Sequence, residues 1–139
     1  MESDRFNLER FVDAQAGGVF ERALEELRDG RKRTHWMWFI FPQHRDLGRS
    51  GTAKFYGLSG REEAAAYLAH PVHPVLGMRL RQAAAAVLPH LEAGRSAVSV
   101  MGPIDAMKLR SSMAIFAGAA PDEPLFRRIL AAIGAEAAE

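Results

Sequence analysis

The sequence predicts an all-α protein, a compact single-domain multihelical bundle with short irregular connections. Apolar residues recur at helical spacing in several separate stretches, and capping or stop residues bracket those stretches. There is also no strong hairpin signal and no linker. At 139 residues, the span 1–139 reads as one domain, long enough to bury roughly two thirds of its unfolded surface.

The elements follow in chain order. Asn7 is placed to cap a short helix with Leu8, Phe11, Val12 and Gln15 on one side. VFERALEELRDG then sets Val19, Phe20, Ala23, Leu24 and Leu27 on one face and turns Glu21, Glu25 and Glu26 the other way. Arg28 suits its last turn and Gly30 its stop. Ser59 and Glu62 form a capping box that opens EEAAAYLAH. Leu76, Leu80, Ala84, Val87 and Leu91 trace a longer helix, which Pro89 is expected to end or kink near Leu88. The last helix starts at Asp122 or Glu123, takes Pro124 in its first turn, and buries Leu125, Phe126, Ile129, Leu130 and Ile133.

Composition excludes several functions. Eighteen Lys and Arg stand against 17 Asp and Glu, a net charge of +1, so binding to nucleic acid through bulk positive charge is not expected. The absence of cysteine rules out disulfides, thiolate metal sites and cysteine catalysis. No run approaches 18 apolar residues and MESDRFNLER lacks the core of a signal peptide, so the expectation is a cytoplasmic protein without a membrane span.

Two segments do not fit a simple amphipathic scheme. In RKRTHWMWFIFPQ, residues 31–43, three cations, Thr34 and His35 lead into Trp36, Trp38, Phe39 and Phe41. Propensity favours a strand and the helical context favours a helix with Thr34 as cap; both remain open. The run is apolar on every side and must lie deep. Its indole N–H groups need partners, so His35 and Gln43 beside Trp36 and Trp38 point to a polar pocket.

PIDAMKLRSSMAIFAGAA, residues 103–120, is apolar around most of its helical circumference, which places a helix centrally. Lys108, Arg110, Ser111 and Ser112 interrupt it. Buried charges are paired, so Lys108 with Asp105 and Arg110 with a carboxylate elsewhere is one account. The sharper account is an anion site, with ammonium and guanidinium ready for phosphate or carboxylate.

HWMWFIFPQ, followed by LGRS and later by MKLRSSM and IFA, resembles the bacterial family called domain of unknown function 1810. The likeness runs from about residue 8 to residue 126. It implies a small multihelical protein and no established activity. HPVHPV, residues 70–75, is an extra triplet relative to the family pattern. The calpastatin label often attached to this family does not fit, since calpastatin repeats are disordered and this composition is globular.

Other chemistry is weaker. LGRSGT, with Ser50 at its centre, could offer backbone N–H groups to a phosphate, but it lacks the Walker A lysine and reads better as a turn with a cap. His70 and His73 are separated by Pro71, which breaks the helix that would align them, so no metal is expected; no cofactor is either. Three classes remain. The favoured one is a domain binding or acting on a small anionic or nucleotide-like ligand through His35, Trp36, Trp38, Gln43, Ser50, Lys108, Arg110, Ser111 and Ser112. An interaction module, homodimeric or otherwise, is the second. A purely structural role for both motifs is the third.

Overall fold

The first helix departs from expectation at its cap. The structure, a computed structural model, describes residues 4–137. Asn7 has φ 55 and does not cap α1 (Glu9–Ala14). The Asp4 carboxylate does so instead, accepting from the amides of Leu8 at 2.6 Å and Glu9 at 2.9 Å. An acidic side chain with two oxygens can satisfy two orphan N–H groups where asparagine offers one acceptor.

α2 (Val19–Arg28) buries Phe20, Ala23, Leu24 and Leu27 as its periodicity demands, and Gly30 leaves it at φ 71. Glu21 and Glu25 face solvent, but Glu26 is buried, contrary to the outward placement its charge implies. The aromatic run settles as a helix, α3 (Met37–Ile40), with Trp36 rather than Thr34 at its N-cap. Trp36, Met37, Ile40 and Phe41 are buried.

A 3-10 turn at Arg45–Leu47 precedes α4 (Gly51–Phe55), and Ser50 caps α4 through a 3.0 Å bond from the Ala53 amide. The chain returns beside its start here: the Leu58 amide donates to Gln43 O at 2.8 Å and the Arg45 amide to Leu58 O at 2.9 Å. This is a parallel bridge, His44 to Leu58, and no strand forms among the described residues.

At α5 (Arg61–Ala69) the expected capping box shifts by one residue. Ser59 donates its amide and hydroxyl to Glu63, at 2.9 and 2.8 Å, while Glu62 pairs with Arg5. Glu63 lies on the buried side, where it also meets Arg10, and that pairing draws it inward.

α6 (Val75–Glu92) buries Leu76, Leu80, Ala84, Val87 and Leu91, and runs through Pro89. Pro89 sits on the exposed side one turn from the end, where it removes a single donor. α7 (Ala97–Met101) is an element that its valines did not announce; Ser96 caps it by accepting from the Ser99 amide at 3.0 Å. α8 (Pro103–Ala119) and α9 (Pro124–Ala137) complete the order.

α6 is the shared helix of the bundle, packing on α2, α5 and α9, whereas α8 packs on α5, α7 and α9. α8 therefore has an outer face, in contrast to the central placement its composition implies. Leu109, Ser112, Met113 and Phe116 are buried, while Ile104 and Met107 are 70% and 72% exposed and Arg110 faces solvent beside them. The inward face is built from a serine and a few large residues, and two of the most apolar side chains are left outside. Buried residues of every helix except α4 join one hydrophobic cluster. No helix among the described residues is long and apolar enough to cross a membrane.

Candidate functional site

Glu26 organises the turn that carries the aromatic motif. Its Oε1 accepts from the Arg33 amide at 2.7 Å, the Thr34 amide at 3.0 Å and the Trp36 indole at 3.0 Å. Its Oε2 accepts from the Thr34 hydroxyl at 2.7 Å. Burial pushes this carboxyl up, and the bonds from Thr34, Arg33 and Trp36 override it, lowering its pKa from 4.5 to about 2. The charge is thus fixed at neutral pH and the turn is fixed to the charge.

Within residues 33–36 only His35 makes no bond to Glu26, and it points outward. With Thr34 and Trp36 it lines a cavity of about 290 Å³, whose other wall is Gly17, Gly18, Val19 and Arg22. Gly17 and Gly18 have φ 66 and 87, and neither amide donates a hydrogen bond among the described residues. Arg22 has no ion pair there either. Neither Lys108 nor Arg110 lines this cavity.

The two tryptophans face different cations. Lys32, its side chain 8% exposed, sits 4.9 Å from the Trp36 ring centroid, donates to Thr34 O at 2.6 Å and pairs with Asp105 at 3.0 Å. Lys108 approaches the other oxygen of Asp105 at 3.8 Å and lies 5.0 Å from the centroid of Trp38, which is half-buried. A relay Trp36–Lys32–Asp105–Lys108–Trp38 thereby joins the aromatic segment to the start of α8. The Lys108–Asp105 pairing matches the sequence expectation; Arg110 is exposed and, among the described residues, reaches no carboxylate.

The remaining expected site residues scatter. Gln43 is half-buried and contributes its backbone carbonyl to the bridge with Leu58. Ser50 is the cap of α4. Ser111 is half-buried on α8, and Ser112 is fully buried with no partner for its hydroxyl among the described residues.

Arg10 is a second hub, absent from the sequence-level site. It donates to Phe55 O, Phe6 O, Asn7 O, Gly57 O and the Glu63 carboxylate at 2.6–3.1 Å, so all five of its N–H groups are engaged. The stretch it pins forms a cavity of about 410 Å³ lined by Arg45, Lys54 and Phe55. Arg45 and Lys54 also line an adjoining cavity of about 560 Å³ with Asp46 and Arg49. Neither hub was recoverable from local pattern, because each is defined by where distant backbone groups end up. Among the described residues no cluster of His, Asp and Glu is arranged to hold a metal.

A family model described as "Protein of unknown function (DUF1810)" matches residues 5–137. The chain belongs to this family. Its fold is similar to that of a conserved hypothetical protein, Rv1873 from Mycobacterium tuberculosis, whose crystal structure is at 1.38 Å. The two are 49% identical, with a TM-score of 0.85 over 92% of this chain and 87% of that one. No curated protein matches the chain. DUF1810 membership and the all-α architecture thus agree with the expectation drawn from HWMWFIFPQ and MKLRSSM.

Proposed function

We propose that this chain is a binding domain for a small anionic ligand, held in the cavity between His35 and Arg22. The observation that carries this reading is the Glu26 clamp. Residues 33, 34 and 36 are tied to one carboxylate, while among the described residues His35, between them, makes no bond and stands beside an Arg22 without an ion pair and two glycine amides that donate to nothing. Amides, guanidinium and imidazole on a preset backbone are the groups that bind phosphate and carboxylate. At about 290 Å³ the cavity suits a phosphate or a short carboxylic acid.

Thermal denaturation with inorganic phosphate and a panel of short mono- and dicarboxylates tests the reading. An anion at 100 times its dissociation constant should stabilise the fold by about 2.7 kcal/mol. His35→Ala and Arg22→Ala should each remove that response while leaving the anion-free melting curve in place, since both side chains are exposed. A wild-type protein indifferent to every anion, or a His35→Ala protein that responds like wild type, refutes the reading.

A second reading, a self-associating or protein-binding module, draws support from Val98, Ile104 and Met107, which are 47%, 70% and 72% exposed on α7 and α8. Light scattering at micromolar concentration checks it: a monomer that stays monomeric with Met107 intact speaks against self-association.

A further inference from the structure

We infer that the cleft around Arg45 and Lys54 is a second binding site, independent of the His35 cavity, for a nucleoside monophosphate or a molecule of that chemistry. Whole-chain charge hides this place. The net charge is only +1, yet the short span 43–58 carries Arg45, Arg49 and Lys54 against Asp46. Among the described residues none of these three cations makes an ion pair or a side-chain hydrogen bond, whereas Arg5, Arg10, Arg33, Arg81 and Arg128 are all paired with carboxylates. Unpaired cations gathered at a concave surface raise the local concentration of anions.

The surface is built rather than incidental. The Leu58–Gln43 and Arg45–Leu58 bonds close the span at its ends. Gly57 lies so close to the Arg45 backbone that a Cβ there would overlap it, and a Cβ on Gly48 would lie 2.6 Å from Ala53 Cβ. Arg10 holds Phe55 and Gly57 by their carbonyls, and its own charge is met by Glu63. The floor is therefore neutral and rigid, and the positive charge that remains is displayed at the rim.

Phe55 supplies the other half of the recognition. Tyr56 meets it in a T-shaped contact at 78° with centroids 4.8 Å apart, and Phe55 is nevertheless 56% exposed on the cavity wall, so much of its ring surface is open. A planar ring can therefore lie on Phe55 while a phosphate reaches Arg45 and Lys54, the two residues common to both adjoining cavities. A volume of about 410 Å³ accommodates a mononucleotide.

Isothermal titration with AMP, UMP, adenosine, ribose 5-phosphate and inorganic phosphate tests the inference on the wild-type protein and on exposed-residue variants. AMP should bind more tightly than ribose 5-phosphate, and adenosine more weakly than either. Arg45→Gln with Lys54→Gln should weaken AMP at least tenfold, and Phe55→Ala should weaken AMP about tenfold without affecting ribose 5-phosphate. Phe55→Trp should retain AMP, and His35→Ala should leave AMP binding unchanged. No AMP binding at millimolar concentration overturns the site. AMP binding that survives the double charge change overturns its location. Equal affinity for AMP and ribose 5-phosphate, unaltered by Phe55→Ala, overturns the stacking half. Loss of AMP binding in His35→Ala alone places the nucleotide in the other cavity and overturns the independence of the two.

Discussion

The indole N–H of Trp36 donates to Glu26 Oε1 at 3.0 Å, and both groups are buried. The aromatic motif therefore owes its position to a carboxylate as well as to packing. One end of Trp36 is fixed by that bond and one face is covered by Lys32. The ring is thus held from two sides, and among the described residues His35 before it makes no hydrogen bond or ion pair.

Glu26 should make stability depend on acid. Its pKa is depressed from 4.5 to about 2, so its contribution is complete above pH 4.5 and disappears as pH falls towards 2. A shift of that size corresponds to about 3 kcal/mol. Urea midpoints of the wild type and Glu26→Gln, compared between pH 6 and pH 2.5, check this. The gap between the proteins should narrow as pH drops, and a constant gap would count against the assignment.

Arg10→Lys should cost about 2 to 4 kcal/mol, since an ammonium has three donors and no fork for the four carbonyls and one carboxylate now served. Glu63→Gln, combined with it, should be less than additive because the two side chains share one bond at 2.7 Å. Chemical denaturation of the singles and the double gives the coupling directly.

Two glycines in one loop should respond oppositely to alanine. At Gly57 a Cβ would overlap the backbone of Arg45, so Gly57→Ala should destabilise by about 2 kcal/mol or more. At Gly51, the first residue of α4, nothing lies within 4 Å, and alanine should be neutral or stabilising by about 0.5 kcal/mol. Differential scanning calorimetry distinguishes them, and matching melting temperatures would show that the loop is not held as described.

On α8 the two polar residues once grouped as ligands should also part. Ser112 buries a hydroxyl with no partner among the described residues, so Ser112→Ala should stabilise by about 1 kcal/mol. Arg110 is exposed and has no ion pair among the described residues, and Arg110→Ala should change stability by no more than about 0.5 kcal/mol. A large loss at either position in a melting experiment would contradict this division of roles.

How much of this was legible in the sequence differs by residue. Leu76, Leu80, Ala84, Val87 and Leu91 declare α6 because their spacing alone determines which side faces the core. Asp105 with Lys108 was equally readable, being one turn apart. Glu26 was not, since it flanks Ala23 on the helix wheel and only the return of residues 33–36 makes its burial favourable. Arg110 erred the other way: Ile104 and Met107 made its surroundings look interior, yet they are themselves exposed. Arg10 and Lys54 give no local sign, because the cleft exists only after residues 6–10 and 55–63 have met.

The two hubs differ in the length of chain they close. Glu26 joins residues 7 to 10 positions apart, whereas Arg10 reaches 45 to 53 positions along the chain to Phe55, Gly57 and Glu63. Loop-closure entropy makes the longer connection harder by about 1.5 kcal/mol before any contact is gained. During refolding the Arg33 and Thr34 amides should therefore gain protection from hydrogen exchange in early labelling pulses. The Leu58 amide, which donates to Gln43 O beside the Phe55 and Gly57 carbonyls held by Arg10, should lag behind them. The His35 turn is thus a local product of its own short segment, and the Arg45 cleft is a late product of the whole N-terminal half. Partial unfolding would erase the second while the first still stands.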